Sequence, residues 1–219
     1  MPIQAVIFDM DGLMIDSERV YWQAGREVAN RYGKTVKDAT LGRMMGRSPI
    51  DSMTVFATET DIAVDPLALL AERDARVYEI LRAEATPMPG LFETLDRLSD
   101  VYTLAIATSA KRYFVDVIDA RLNFVRYFKA VQTSEGVVNG KPAPEIYHKA
   151  MKQIGMQPEH CVVLEDSSNG ARAGKSSGAY TIAVPSEHTR DQDFSFVDYI
   201  AKDLTDAAAK IMAIGSPLP

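Results

Sequence analysis

A chain of 219 residues that is 47% hydrophobic and 25% charged can bury a core of domain size and is unlike a disordered polymer. Its formal charge of −6 excludes a general nucleic-acid binder, which needs a basic surface to displace counterions, and leaves room only for a local basic pocket. The single cysteine, Cys161, excludes an internal disulfide, fits a reducing compartment and reads as a small buried residue within Cys161-Val162-Val163-Leu164. The first residues carry no basic segment, their apolar run stops at Asp9, and no stretch approaches the roughly 20 apolar residues of a membrane span. A cytoplasmic protein without membrane contact is expected.

Ala5 to Phe8 is a short apolar run of the kind that forms a strand covered on both faces. From about Ser17 to Ala85 the pattern is helical: Tyr21, Ala24, Val28 and Tyr32 mark one amphipathic face, and Leu67, Leu70, Ala71 and Val77 another. Thr86-Pro87-Met88-Pro89-Gly90 reads as a linker, followed by a helix with Leu91, Phe92, Leu95 and Leu98 on one side. Val101 to Ala107, Phe128 to Val131, Cys161 to Leu164 and Tyr180 to Val184 read as further strands, with Ile146, Ala150, Met151 and Ile154 marking a helix among them. Such alternation predicts an α/β fold, a doubly wound parallel sheet with an inserted all-helical subdomain. The expected boundaries are 1–15 and 87–219 for the α/β core and 16–86 for the helical insert, with Ile214 to Pro219 frayed.

In open parallel sheets ligands sit beyond the carboxyl ends of the strands, so residues just after each apolar run form the candidate site. Asp9-Met10-Asp11-Gly12 places two acids two residues apart, pointing the same way. Their repulsion is most simply relieved by a hard divalent cation, and Mg2+ characteristically takes few carboxylates plus substrate phosphate. Thr108-Ser109 precedes a helix pattern at Ala110-Lys111-Arg112, where a hydroxyl beside helix N–H groups makes a seat for phosphate oxygens. In Gly140-Lys141-Pro142-Ala143-Pro144-Glu145 the prolines restrict the backbone and could aim Lys141 at the same point, and Glu165-Asp166-Ser167 ends another strand with two acids. Singly, each has a plainer reading as a turn, an N-cap, a solvated lysine or a loop start. Together they supply four carboxyls, a hydroxyl and an ammonium around one crevice, the groups that phosphoryl transfer needs.

On these four segments the sequence resembles the haloacid dehalogenase superfamily, in the branch with a helical cap after the first motif, and is similar there to β-phosphoglucomutase-like and phosphoglycolate phosphatase-like enzymes. The resemblance implies that Asp9 attacks phosphorus to give an aspartyl-phosphate and that Asp11 serves as general acid and then base. It implies Mg2+ held by Asp9, the Asp11 backbone carbonyl and Asp166, with Glu165 nearby through water. Thr108, the Ser109 N–H and Lys141 would hold the transferring oxygens, and Lys141 would pair with Asp9 before substrate arrives. Arg47 is the candidate cap contact to substrate, and Asp16 the candidate cap of the helix beginning near Ser17. True dehalogenases need neither an acid/base carboxyl at the Asp11 position nor Mg2+, which favours phosphoryl chemistry. Mutases of the β-phosphoglucomutase type carry a cap histidine where this chain has Tyr21 and an arginine where it has Pro49. The implied function is therefore a Mg2+-dependent phosphatase acting on a small phosphorylated metabolite such as a sugar phosphate; the sequence leaves the oligomeric state open, with a monomer favoured. A phosphomutase and a catalytically idle binding or regulatory protein are the alternatives.

Overall fold

The structure, a computed structural model, describes residues 2–45 and 47–215. Met1, Gly46 and Ser216 to Pro219 lie outside the described residues. The chain divides into two compact units, one made of the segments up to Asp16 and from Thr86, the other of Ser17–Ala85.

The first unit is built on six strands: β1 (Ala5–Phe8), β2 (Thr103–Ala107), β3 (Ala130–Gln132), β4 (Cys161–Glu165), β5 (Tyr180–Ala183) and β6 (Tyr199–Ile200). They form one sheet in the order β3-β2-β1-β4-β5-β6 with every neighbouring pair parallel. The first strand is central, with Phe8 opposite Ile106 on one side and Leu164 on the other. Its four residues are fully buried, as a strand covered on both faces requires.

Two runs begin later than the sequence suggests. Val101 is exposed and Tyr102 N still donates to Leu98 O, so β2 starts at Thr103. Phe128 closes a turn onto Val125 O and sends its ring edge-on to Phe8 at 5.6 Å, so β3 starts at Ala130. The two-residue β6 is too short to carry an alternation pattern and was not anticipated.

The Ser17–Ala85 unit contains α1 (Ser17–Arg31), α2 (Asp38–Met44), α3 (Pro49–Thr60) and α4 (Pro66–Glu84). Ser48 and Asp65 cap α3 and α4 by accepting from Asp51 N and Leu67 N, each with proline in the first turn. The buried faces are shifted from the expected ones. On α1 they include Val20, Ala24 and Val28, whereas Tyr32 lies past the helix end and is 36% exposed. On α4 they include Leu69, Arg73, Val77, Ile80 and Leu81, whereas Leu67 and Ala71 are exposed. Leucines at 67, 69 and 70 fit several helical phases, and only packing selects one.

The sheet unit is completed by α5 (Leu91–Ser99), α6 (Arg112–Leu122), α7 (Glu145–Ile154), α8 (Ser168–Ser176) and α9 (Leu204–Gly215). Ile214 and Gly215, expected in a frayed tail, belong to this last helix. One sheet face, with Ala5, Ile7, Ala105, Ala107, Cys161 and Val163, packs against Ile146, Tyr147, Ala150 and Met151 of α7. Strand alternation sends Val6 and Phe8 to the opposite face. Each large apolar side chain buried in such a core contributes roughly 1.5–3 kcal/mol. Among the described residues no helix is long and apolar enough to cross a membrane.

Candidate active site

The α7-covered face carries the chemistry at its carboxyl edge. The alternation that places Cys161 and Val163 on this face also places Glu165 there, and Asp9 follows Phe8 with its N–H donating to Leu164 O at 3.0 Å. Lys141, at the entrance to α7, reaches both acids. Its Nζ lies 2.5 Å from Asp9 Oδ1, 2.5 Å from Glu165 Oε1 and 3.4 Å from Ala107 O.

All three side chains are nearly removed from water, at 10% exposure for Lys141, 8% for Asp9 and 1% for Glu165. Burial alone would lower the Lys141 pKa, but the Asp9 and Glu165 carboxylates outweigh it and hold the ammonium charged well above the usual lysine range. For Asp9, burial pushes the carboxyl well above its usual range; Lys141 pulls it down, and Glu165 and Asp11 push it further up.

Glu165 is clamped on both oxygens. Oε1 accepts from Lys141 and, at 2.7 Å, from the Tyr147 hydroxyl, while Oε2 accepts from Ser167 N at 3.2 Å and Ser167 Oγ at 3.0 Å. Ser167 also caps α8, accepting from Gly170 N. Gly170 has to lack a side chain, because a Cβ there would fall 1.7 Å from Glu165 Oε1. Burial raises the Tyr147 pKa well above the usual phenol value and Glu165 adds to the shift, so the hydroxyl keeps its proton and donates.

A second close approach joins the first motif to Asp166. Gly12 sits at φ 78° in a turn whose N–H donates to Ile15 O, and a Cβ there would fall 2.4 Å from Asp166 Oδ2. Asp9, Glu165 and Asp166 each offer one carboxylate oxygen, and these oxygens lie within 4.8 Å of one another. Buried hard oxygen donors converging in this way fit a divalent cation such as Mg2+.

Thr108 joins the group from β2. Its Oγ1 donates to Asp11 Oδ2 at 3.2 Å and accepts from Ala110 N at 3.0 Å. The helix expected to open at Ala110 begins instead at Arg112, and Arg112 N donates to Glu135 Oε1 at 2.8 Å. Glu135 thus occupies one of the N–H groups that the sequence offered to phosphate; the exposed Ser109 lies in the turn before it. Arg47 belongs to the Ser17–Ala85 unit, exposed between α2 and α3, with Nε donating to Arg43 O at 2.7 Å. Asp16 N donates to Thr86 O where the two crossing segments pair.

Sequence reasoning did not single out Tyr147, Glu135 or the structural use of Glu145. The Glu145 carboxylate accepts from Val138 N at 2.9 Å and Asn139 N at 2.8 Å, holding the loop that leads to Lys141. These two backbone donors are the main reason its pKa falls from 4.5 to about 2. The only sequence signal for such a role is its place in the first turn of α7, next to Pro144.

Comparison with known proteins gives a consistent result. A phosphorylated carbohydrates phosphatase of Thermotoga maritima is 35% identical over 181 residues, covering 80% of this chain and 82% of that one. The fructose-1-phosphate phosphatase YqaB of Escherichia coli is 30% identical over 180 residues, covering 82% and 95%. The crystal structure of CbbY from Rhodobacter sphaeroides in complex with phosphate matches with a TM-score of 0.83 at 22% identity, covering 93% of this chain and 96% of that one, which is a likeness of fold. The haloacid dehalogenase-like hydrolase family model matches residues 6–184, a span that runs from the central strand to just past β5. By that match and by its fold, this chain belongs to the haloacid dehalogenase-like hydrolases.

Proposed function

We propose that this protein is a phosphatase that hydrolyses a small phosphomonoester through an aspartyl-phosphate on Asp9, with Mg2+ as cofactor. The observation that carries the reading is the Asp9 carboxyl held by Lys141 at 2.5 Å, with oxygens of Asp9, Glu165 and Asp166 within 4.8 Å of one another. The relatives named as phosphatases of phosphorylated carbohydrate and of fructose-1-phosphate support a sugar phosphate as the substrate class.

In this mechanism a carboxylate oxygen of Asp9 attacks phosphorus, the bond from phosphorus to the leaving oxygen breaks, and Asp11 gives that oxygen its proton. Asp11 then takes a proton from water, whose oxygen attacks the aspartyl-phosphate at phosphorus, freeing Asp9 and releasing inorganic phosphate. Thr108, the Ser109 N–H and Lys141 hold the transferring oxygens. Asp9, the Asp11 carbonyl and Asp166, with Glu165 beside them, would hold the divalent cation, whose charge would offset the repulsion between an anionic nucleophile and an anionic ester.

The test is phosphate release from a panel of sugar phosphates, nucleotides and phosphoglycolate with Mg2+, beside an EDTA control and Asp9→Asn. Release that needs both Mg2+ and Asp9 is expected, with a sugar phosphate preferred. A folded wild-type protein inert toward the whole panel would overturn the assignment, and conversion of a sugar phosphate to its isomer without phosphate release would make it a mutase.

A further inference from the structure

Tyr147 is a fully buried side chain on the α7 face that packs against Ala5, Ile7, Ala107 and Val163. Phenylalanine would fill such a place as well, so the hydroxyl calls for a separate reason. It donates to Glu165 Oε1 at 2.7 Å, the oxygen that also accepts from Lys141, and the Lys141 Nζ lies 5.2 Å from the centre of the Tyr147 ring. One residue therefore touches both the acid that holds the lysine and the lysine itself. Ser167 fixes the other oxygen of Glu165, and Gly170 closes the space beside it.

A lysine side chain is long and flexible, and its head group is located only by what it touches. Here its contacts are Asp9, Glu165, the Ala107 carbonyl and the face of the Tyr147 ring. Asp9 is the group that bonds to phosphorus in the proposed reaction, so the contacts to Glu165, the Ala107 carbonyl and the ring are the ones that set where the ammonium stands during transfer. We propose that Tyr147 is a positioning residue of the phosphoryl-transfer site: its hydroxyl orients Glu165, and Glu165 together with the ring fixes the Lys141 ammonium beside Asp9. The proposal rests on the reading of Asp9 and Lys141 given under the proposed function.

The experiment compares wild type with Tyr147→Phe, which keeps the ring and its volume, on p-nitrophenyl phosphate with Mg2+. The expected result is a kcat lower by about tenfold with KM within about twofold, since small misplacements of a transition-state donor act on the chemical step. In a Glu165→Gln background the same substitution should add little, because the hydroxyl acts through that acid. Crystal structures of both proteins without substrate give a reading that needs no turnover: Lys141 Nζ should move away from Asp9 Oδ1 in Tyr147→Phe. Unchanged kcat with Lys141 in place, or a kcat loss fully accounted for by a smaller folded fraction, would overturn the proposal. If the wild type hydrolyses nothing, the functional reading fails first, and the position of Lys141 in the two crystals alone decides the role of Tyr147.

Discussion

Asp9 and Lys141 meet at 2.5 Å with both side chains almost out of water, yet the pair is not balanced, because Glu165 shares the same ammonium and Asp11 and Asp166 lie close by. Burial raises the Asp9 pKa above 3.8, so above that pH the folded protein binds more protons at this site than the unfolded chain. The stabilisation is present on the acid side and is lost as pH rises through the raised value. Asp9→Asn removes that loss. Without metal at neutral pH it is expected to be at least as stable as wild type while abolishing activity, and to flatten the dependence of urea unfolding on pH above 3.8. An Asn variant less stable than wild type at neutral pH would show that the pair, not the burial, dominates.

Loading the acidic cluster should act in the same direction. A cation that binds only the folded state adds RT ln(1 + [L]/Kd), about 2.7 kcal/mol at about a hundredfold excess over Kd. Mg2+ is therefore expected to raise the thermal midpoint of wild type by several degrees, and Asp166→Asn to remove most of that rise. Calorimetry with Mg2+ and with EDTA measures it; an equal shift in both proteins would place the ion elsewhere.

The approach of Gly170 to Glu165 gives a prediction with an internal control. Gly170→Ala drives a methyl into the carboxylate that holds Lys141, so it should cost about 1–3 kcal/mol and lower kcat steeply. Gly42→Ala, on α2 with nothing within 4 Å, should instead be neutral or stabilising by up to about 1 kcal/mol, with kcat unchanged. Urea midpoints and steady-state rates of the two variants decide it.

Glu145 acts at longer range. Its folded-state pKa is lowered from 4.5 to about 2, so its hold on the Val138 and Asn139 N–H groups is present above 4.5 and is lost as pH falls through about 2. Glu145→Ala should raise the hydrogen-exchange rates of these two amides by at least about tenfold and lower kcat, with the rest of the sheet unaffected. Unchanged exchange at both positions would show that the loop is held by other means.

The parallel sheet was legible because β1 and β4 are buried on both faces, which leaves an uninterrupted apolar run in the sequence. The groups at strand ends were legible for a related reason, since Asp9 and Glu165 break such runs abruptly. Other features depend on partners distant in sequence. The start of α6 is set by Glu135, which reaches Arg112 N from the next connection, and no local pattern reports this. Tyr147 resembles any core aromatic until Glu165 is brought against its hydroxyl. In α4 the leucines fit more than one helical phase, and Arg73, which sequence rules place outside, is buried with its guanidinium over the Tyr21 ring at 5.2 Å.

The middle place of β1 in the sheet bears on how the protein is made. Within the sheet β1 precedes both of its neighbours, β2 and β4, and β4 is translated only after the whole helical insert and much of the sheet unit. Until then one edge of β1, the strand that Asp9 follows, is open to wrong partners. A nascent chain arrested before Cys161 is expected to be digested rapidly by protease at β1 and to become resistant once β5 has emerged; early resistance would mean that the half-built sheet is already stable. On this expectation synthesis includes a waiting period in which the central strand of the sheet has to be kept from aggregating.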